Sequence, residues 1–207
     1  MKPLVAVISC HANEEYRQAQ LDTWINTWGD LIDVRFFLGK PLQENTPNTF
    51  YFDVEDTFFD LPFKVQSALE WAHKNEYTHV FKCDDDTYIN VPRLLSCGFE
   101  EHDYMGHMAG VWWECYAQGG AGYWLGPKSL NILHKEGVYK ESFRFNWAED
   151  SSIGAILQAA GVRLKDDRRF FHGTTEKWGF PTPSNDIITS HKCPPWRMRN
   201  IHSIMIR

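Results

Sequence analysis

The feature that most constrains the fold is the alternation of apolar runs and amphipathic segments in the first 83 residues. The continuous apolar run at residues 3–10, PLVAVISC, is typical of a strand buried on both faces. Further strands are predicted at residues 32–39, 50–54 and 78–83, and helices at residues 13–28 and 61–75. The resulting order, β-α-β-β-α-β, predicts a mainly parallel sheet with helices on its faces.

Both predicted helices have an apolar face. Asn13 is a suitable N-cap for the first helix, and Gly29 ends it. The predicted apolar faces comprise Leu21, Trp24, Ile25 and Trp28 in the first helix, and Val65, Ala68, Leu69 and Ala72 in the second.

The rest of the chain continues the alternation less regularly. Helices are predicted at residues 91–96, 127–137 and 148–161, and a strand at residues 103–108, whereas the segment after Arg168 has no clear periodicity. Repeats, low-complexity segments and a domain boundary are absent from the sequence. We therefore predict a single α/β domain over residues 1–207, which is long enough for a substantial core.

Three consecutive aspartates, Asp84, Asp85 and Asp86, follow the predicted strand at residues 78–83. Neighbouring carboxylates repel one another and resist leaving water, so this placement calls for a cation, a set of hydrogen-bond donors, or solvent. Ligands of parallel sheets bind beyond the carboxyl ends of the strands, where these residues are expected. An ordinary solvated acidic turn is the alternative.

Alternation along an extended chain separates the three carboxylates. Asp84 and Asp86 point the same way and can face one ligand, and their hard oxygen atoms suit Mg²⁺ or Mn²⁺. Asp85 points the other way, where it can accept hydrogen bonds from the backbone or a base, and we assign it no catalytic role.

Two acids and three glycines further along the chain are weaker candidates. Glu149 and Asp150 open a predicted helix, either as ordinary first-turn acids or with one of them as a general base. Gly119, Gly120 and Gly122 either let the backbone approach a ligand or form a turn or bulge.

Composition bears on the partners of the chain. The net charge of −6, without a broad basic field, argues against nucleic acid. The aromatic content of 15% is high; such rings stack on sugars or bases, but a bulky core is the preferred interpretation for most of them. Residues 196–207 are basic and apolar, which fits either weak peripheral membrane contact through Arg197, Arg199 and Arg207 or a packed terminal element.

The five cysteines are scattered and form no CxxC pair. Because their number is odd, at least one thiol stays free, and we expect a protein of a reducing compartment that needs no disulfide. The sequence also contains no apolar run long enough to span a bilayer and no signal-peptide cleavage pattern. These features predict a cytoplasmic protein.

Four motifs in one order resemble the beta-1,3-glycosyltransferase superfamily, which includes beta-1,3-galactosyl- and N-acetylglucosaminyltransferases, the core-1 synthase and fringe. They are FKCDDDTYIN, GGAGYWLG, WAEDSSIG and SHKCPPWRM, at residues 81–90, 119–126, 147–154 and 190–198. The segments RQAQLDTW, FFLG and LPFKVQSALEWA resemble further family elements, so the likeness extends from about Val5 to Met198.

The resemblance implies a GT-A fold and transfer of a sugar, with inversion, from a UDP-sugar to a hydroxyl of a glycan or glycolipid acceptor, forming a beta-1,3 linkage. It implies a Mn²⁺ or Mg²⁺ site at Asp84, Asp86 and His191, with Asp86 the direct ligand, Asp84 nearer the ribose or the metal-bound waters, and His172 the alternative to His191. The family match also selects Asp150 as the catalytic base.

The resemblance further divides the chain into a nucleotide-sugar-binding half, about residues 1–90, and an acceptor-binding half, about residues 91–207. The donor contacts that it implies are Arg17, Lys64, Asp84, Asp85, Gly119 and Gly120.

The chain also departs from the family pattern. Leu21 and Ser151 stand where many members have Arg and Val, and the membrane anchor of the Golgi members and most of their paired cysteines are missing from this sequence. These differences leave the donor sugar and the compartment open. A binding protein without turnover and a metal-dependent phosphohydrolase acting on nucleotide sugars are the alternative functions.

Overall fold

The computed structural model describes residues 1–111, 114–173 and 186–206. The strands are β1 (Pro3–Ile8), β2 (Asp33–Leu38), β3 (Thr49–Tyr51), β4 (His79–Asp84), β5 (Tyr88–Ile89), β6 (Tyr104–Gly106), β7 (Met108–Val111), β8 (Glu114–Ala117), β9 (Tyr123–Leu125), β10 (Lys165–Asp166), β11 (Phe170–Phe171) and β12 (Thr189–Ser190). The helices are α1 (Glu14–Gln20), α2 (Asn26–Trp28), α3 (Leu61–Lys74), α4 (Val91–Leu95), α5 (Pro127–Glu136), α6 (Glu149–Ala159) and α7 (Pro195–Met205). A π-helical turn, Leu21–Ile25, joins α1 to α2, and a 3-10 helix, Val138–Phe145, precedes α6.

A seven-stranded sheet with the order β10-β6-β9-β4-β1-β2-β3 forms the centre of the fold. Strands β4, β1, β2 and β3 are parallel neighbours, while β9 runs antiparallel to both β4 and β6. The predicted β-α-β-β-α-β order and the mainly parallel sheet flanked by helices are confirmed. The strand predicted at residues 103–108 is divided between β6 and β7, and β7 pairs with β8 in a hairpin.

Alternate residues of the central strands face opposite layers of helices. Val5 and Val7 of β1 pack in one hydrophobic cluster, and Leu4, Ala6 and Ile8 pack in the other. The predicted apolar faces hold: Trp24 is buried with Leu21, Ile25 and Trp28 against the first cluster, and Val65, Ala68, Leu69 and Ala72 are buried in the second. Most of the largest fully buried side chains are aromatic, which agrees with the preferred interpretation of the composition.

The C-terminal stretch forms the packed element that the sequence left as one alternative. Helix α7 buries Met198 and Ile201 and lies against α1. Arg197 is also buried, and Arg199 pairs with Asp22 at 2.9 Å. Arg207 lies outside the described residues, so its predicted membrane contact stays a prediction.

Two features bear on the predicted compartment. All five cysteines are free thiols in the structure. Within the described ranges, no helix combines the length and the apolarity that crossing a bilayer requires.

Two pairings of short strands determine where the polar residues meet. Ile8 at the end of β1 is in register with Asp84 at the end of β4. Beyond Asp86, the chain forms β5, in which Tyr88 pairs with Ser190 of β12. Because Ser190 is the last residue of β12, this pairing brings residue 191 beside the aspartates although it is more than one hundred positions away in the sequence.

Gly122 provides a test of close packing at the start of β9. Its φ is +86°, and a Cβ atom there would overlap the ring of Phe81. Gly161 has a φ of +73° with open space around it, so it is a matched control. We expect Gly161→Ala to lower the free energy of unfolding by about 1 kcal/mol. Gly122→Ala should lower it by about 1–3 kcal/mol more than Gly161→Ala does, measured by urea denaturation. Equal losses would show that the ring of Phe81 moves aside at no cost.

Candidate active site

The predicted metal-ligating residues come together beyond the end of β4. Asp84, Asp86 and His191 each offer one ligand atom, and these atoms lie within 4.8 Å of one another. Asp84 is the last residue of β4, and the turn that follows it is closed by a hydrogen bond from the Thr87 amide to the Asp84 carbonyl, 3.2 Å long. The short β5–β12 pairing supplies His191 from the other side.

The pair of Asp86 and His191 fits a cation. Oδ1 of Asp86 is buried without a hydrogen-bond donor among the described residues, and it lies 3.2 Å from Nε2 of His191. The other ring nitrogen, Nδ1, lies 3.1 Å from the carbonyl oxygen of His172, which can only accept a hydrogen bond. A neutral His191 therefore turns its Nε2 lone pair toward the carboxylate. Two facing electron-pair donors with a further carboxylate nearby suit Mn²⁺ or Mg²⁺.

His172, the alternative ligand, occupies a different position. Its ring lies on the Nδ1 side of His191, with 3.3 Å between the two Nδ1 atoms, and it is not part of the cluster of Asp84, Asp86 and His191. Burial, followed by the neighbouring His191, lowers the pKa of His172 to about 4. The structure thus makes His172 a neighbour that supports the orientation of His191 through its backbone.

The glycine-rich turn before β9 contacts two of the predicted site residues. A Cβ atom at Gly120 would overlap the ring of His191, so the absence of a side chain there gives the imidazole its place. The amide of Gly119 donates a 3.0 Å hydrogen bond to Oδ2 of Asp150. Contacts of these glycines with a nucleotide sugar stay a prediction, because the contacts that the structure shows are with residues of the chain itself, among them His191 and Asp150.

The two acids that open α6 have different surroundings. Glu149 is buried; its Oε1 accepts from the Tyr123 hydroxyl at 3.1 Å, and burial raises its pKa to about 7. Asp150 is half-buried, and its Oδ1 accepts the Ser151 amide at 2.7 Å. The first acid belongs to the interior of the protein, and the second is the one that solutes can reach.

Lys82 is a site residue that the sequence reasoning missed. Its side chain is fully buried, and Nζ lies 2.8 Å from Oδ1 of Asp84 and 2.7 Å from Oε1 of Glu149. Burial disfavours the ammonium, but the two carboxylates outweigh it and raise the pKa of Lys82 above its ordinary value. Burial also opposes ionisation of Asp84, yet the Lys82 charge lowers the pKa of that carboxyl. A lysine inside an apolar strand run, VFKC, was the available signal.

Asp85 faces the loop after β1, and its partners there are side chains. It accepts hydrogen bonds from Oγ of Ser9 at 2.6 Å and from Nδ2 of Asn13 at 3.1 Å. The chain turns directly after Asp84, so the extended geometry behind the predicted opposite directions does not apply, and all three aspartates line one cleft. Asn13 stands at the N-cap of α1, but its side chain makes no capping hydrogen bond, so that part of the prediction is wrong. Arg17 donates to Oγ of Ser9 at 2.8 Å and to the carbonyl of Cys10. Burial raises the pKa of Asp85 to about 6.

Lys64 reaches the same loop from α3. Its ammonium donates to the carbonyl of Ser9 at 2.7 Å and pairs with Asp56, which the sequence reasoning also missed. Asp56 in turn accepts the amide of His11 at 3.0 Å and that of Gly39 at 3.2 Å. Lys64 therefore fixes the ends of β1 and β2 relative to each other, and its predicted contact with a donor stays a prediction.

These groups line a cleft of about 460 Å³. Its walls come from the loop after β1, the segment before and at the start of α3, and the three aspartates with His191. A cleft of this size, with carboxylates and a lysine converging on it, suits a small polar ligand at the carboxyl ends of parallel strands.

The buried cation of this site is open to a stability test. Lys82→Met should lower the free energy of unfolding by about 3–5 kcal/mol, because Asp84 and Glu149 lose their buried counter-ion. The double variant Lys82→Met/Glu149→Gln should recover part of that loss. Lys40→Met, at an exposed lysine paired with Asp53 and Glu55, is the control and should change little in urea denaturation. Similar losses for the two lysine variants would contradict the ion-pair interpretation.

Known proteins resemble the chain in sequence. Glycoprotein-N-acetylgalactosamine 3-beta-galactosyltransferase 1 of Xenopus laevis is 30% identical over 154 residues, which cover 69% of this chain and 42% of that protein. Beta-1,3-galactosyltransferase 4 of Mus musculus is 27% identical over 113 residues, covering 45% of this chain and 30% of that protein. The matched stretches thus span less than half the length of these relatives. No protein-family model matches it.

Solved structures resemble the whole chain. A glycosyltransferase involved in glycosylation of the major capsid of PBCV-1 aligns with a TM-score of 0.59 and 12% identity, covering 98% of this chain and 100% of that one. Galactosyltransferase LgtC, in complex with donor and acceptor sugar analogues, aligns with a TM-score of 0.55 and 12% identity over 100% of this chain and 97% of that one. The chain therefore has the GT-A fold of glycosyltransferases, and its resemblance to the beta-1,3-glycosyltransferase superfamily is confirmed.

Proposed function

We propose that the chain is an inverting, metal-dependent glycosyltransferase that moves a sugar from a UDP-sugar to a glycan hydroxyl and forms a beta-1,3 linkage. The observation that carries this proposal is the cluster of Asp84, Asp86 and His191 at the carboxyl ends of the parallel strands, together with Asp150 in the first turn of α6. The relatives that are beta-1,3-galactosyltransferases support the reaction class and the linkage.

Three side chains would hold the metal: Asp86 through its unpartnered Oδ1, His191 through Nε2, and Asp84. When bound, Mn²⁺ or Mg²⁺ stabilises the negative charge that develops on the diphosphate leaving group. The protein keeps the histidine in position with the His172 carbonyl on one side of the ring and Gly120 against it.

Asp150 is the base in this proposal. The acceptor hydroxyl must lose its proton as it attacks the anomeric carbon, and one carboxylate on the face opposite the leaving group suffices, because inversion needs no covalent intermediate. Hydrogen bonds from the amides of Gly119 and Ser151 hold the Asp150 carboxylate in one orientation. The Glu149 carboxylate is buried and contacts Lys82 and Tyr123. This leaves the Asp150 carboxylate to accept the proton of the acceptor hydroxyl.

The donor belongs in the cleft beside Ser9, Lys64 and the aspartates. This placement agrees with a nucleotide-sugar-binding half at about residues 1–90 and an acceptor-binding half at about residues 91–207, a division that stays a prediction. The cytoplasmic location also stays a prediction. A phosphohydrolase would cleave the diphosphate of the donor with water and release a sugar phosphate, so that product, formed at the same rate with and without acceptor, would favour that alternative.

The metal assignment predicts a defined ranking of variants. Asp86→Ala should abolish metal-dependent binding of UDP, and His191→Ala should weaken it strongly, because each removes an atom of the cluster. His172→Ala should have a smaller effect, since its backbone carbonyl remains. Calorimetric titration of UDP with and without Mn²⁺ measures all three. Unchanged binding in Asp86→Ala would refute the site, and a greater loss in His172→Ala than in His191→Ala would exchange the two histidines.

The assignment of the base predicts a separation of binding from turnover. Asp150→Asn keeps the size of the side chain but removes the proton acceptor, so the transfer rate should fall about 10²–10⁴-fold while UDP-sugar binding stays near that of the unmodified protein. Glu149→Gln should lower stability by weakening the contact with Lys82 and should retain more activity. Transfer rates and donor titrations decide the matter: a dead Glu149→Gln with an active Asp150→Asn would reverse the two roles.

A further inference from the structure

A row of aromatic side chains faces solvent near the candidate active site. Phe58, Phe59, Phe63 and Tyr139 are exposed, with Tyr139 at 48%, and Trp147 is half-buried. We refer to these five residues as the aromatic strip. Adjacent exposed rings form an apolar surface patch, and such a patch calls for an explanation in terms of binding.

The strip consists of two groups of rings, and rings contact one another within each group. Phe63, in the first turn of α3, stacks on Tyr139 with 5.2 Å between the ring centroids and 18° between the planes. The ring of Trp147 lies 6.3 Å from that of Phe63, with 33° between the planes. Phe58 and Phe59 meet edge to face at 6.1 Å in the segment before α3. The group of Phe63, Tyr139 and Trp147 therefore combines rings from α3, from the 3-10 helix before α6 and from the link between that helix and α6.

The two groups adjoin different parts of the candidate active site. Phe58 lines the cleft that contains Asp84 and His191. Trp147 precedes Asp150 by three residues. A ligand seated on the group of Phe63, Tyr139 and Trp147 would therefore lie near the start of the helix that carries the base.

The backbone around Trp147 is strained. Asn146 has a φ of +51° and Trp147 a φ of +65°, a region that side chains other than glycine rarely adopt. The hydrogen bond from the Trp147 amide to the Ser142 carbonyl, 2.8 Å long, holds this conformation. A bulky aromatic residue at a position that glycine would fill without strain indicates that the ring itself has a use.

The charges near the strip favour an uncharged partner. Lys140 and Arg144, on the neighbouring 3-10 helix, are paired with Glu136 and Glu141 respectively. The strip therefore has no excess of positive charge that would attract an anionic lipid surface. A sugar ring fits better, because its C–H face packs on flat rings while its hydroxyls bond to nearby polar groups.

We propose that the aromatic strip binds the acceptor glycan, with one pyranose ring seated on the exposed faces of Phe63, Tyr139 and Trp147. This inference rests on the proposed function, since it gives the strip a role in presenting the acceptor hydroxyl to Asp150. The substrate class that it names is an uncharged oligosaccharide of at least two rings, one held by the strip and one reacting.

Saturation-transfer NMR with methyl β-lactoside and methyl β-chitobioside, in the presence of Mn²⁺ and UDP, tests the proposal. At least one glycoside should bind, with the strongest transfer to the C–H protons of one ring. Trp147→Ala and Tyr139→Leu should each weaken that binding by about fivefold or more, with UDP affinity unchanged. Phe143→Ala is the matched control, because Phe143 is 77% exposed on the same 3-10 helix but lies outside the strip. Thermal unfolding confirms that each variant is folded.

The outcomes separate this proposal from the proposed function. If the unmodified protein showed no Mn²⁺-dependent UDP binding, the proposed function would be overturned. If it bound UDP but no glycoside, only the role of the strip would be overturned. Equal weakening by Phe143→Ala would also overturn it. Two other results would also overturn it, if Tyr139→Leu abolished them while glycoside binding persisted. Binding to phosphatidylcholine vesicles would assign the strip to a membrane, and dimerisation in sedimentation would assign it to a second copy of the chain.

Discussion

The arrangement of the site depends on the ion pairs that the buried ammonium of Lys82 makes with Asp84 and Glu149. An isolated charge in the interior would be prohibitively unfavourable, and Lys82 is tolerated because two carboxylates lie within 2.8 Å of it. One of them, on Asp84, belongs to the end of β4, and the other, on Glu149, begins α6. The same cation thus offsets part of the repulsion among the three aspartates and fixes α6 against the sheet.

Strand pairing supplies what this ion cluster does not. The cluster holds Asp84, but Asp86 lies beyond the turn and gains its neighbour only because β12 pairs with β5. The amide of Cys193 also donates to the Asp86 carbonyl at 2.9 Å, so the segment after β12 is fastened to the aspartate turn on both sides of His191. Backbone hydrogen bonds thus fix the positions of Asp86 and His191 before anything binds. Residues held in this way lose less conformational entropy on binding than mobile side chains do.

Local patterns predicted much of the fold, whereas long-range polar contacts escaped prediction. The order of the elements and the apolar faces of the first helices follow from periodicity, and the grouping of Asp84, Asp86 and His191 follows from the family motifs. Alternation along a strand does not describe Asp85 and Asp86, because the chain turns directly after Asp84. Lys82 was missed because an apolar run was treated as uniformly apolar. Asp56 was missed since its partner Lys64 is contributed by another element. Asn13 was assigned a local capping bond, but its amide reaches Asp85, 72 residues away.

The division of roles between Glu149 and Asp150 follows from the geometry at the start of α6. Successive helical residues point about 100° apart, so Glu149 can be buried in the interior while Asp150 is only half-buried. Gly119 contacts both sides of this division: its carbonyl lies 3.4 Å from the Lys82 ammonium, and its amide donates to Asp150. A side chain at this glycine would press on both acids, since a Cβ there lies 3.1 Å from Glu149 and 3.2 Å from Asp150. The glycine-rich turn thus keeps the interior acid and the accessible acid in fixed relation, and the identity of the base depends on the turn as much as on the helix.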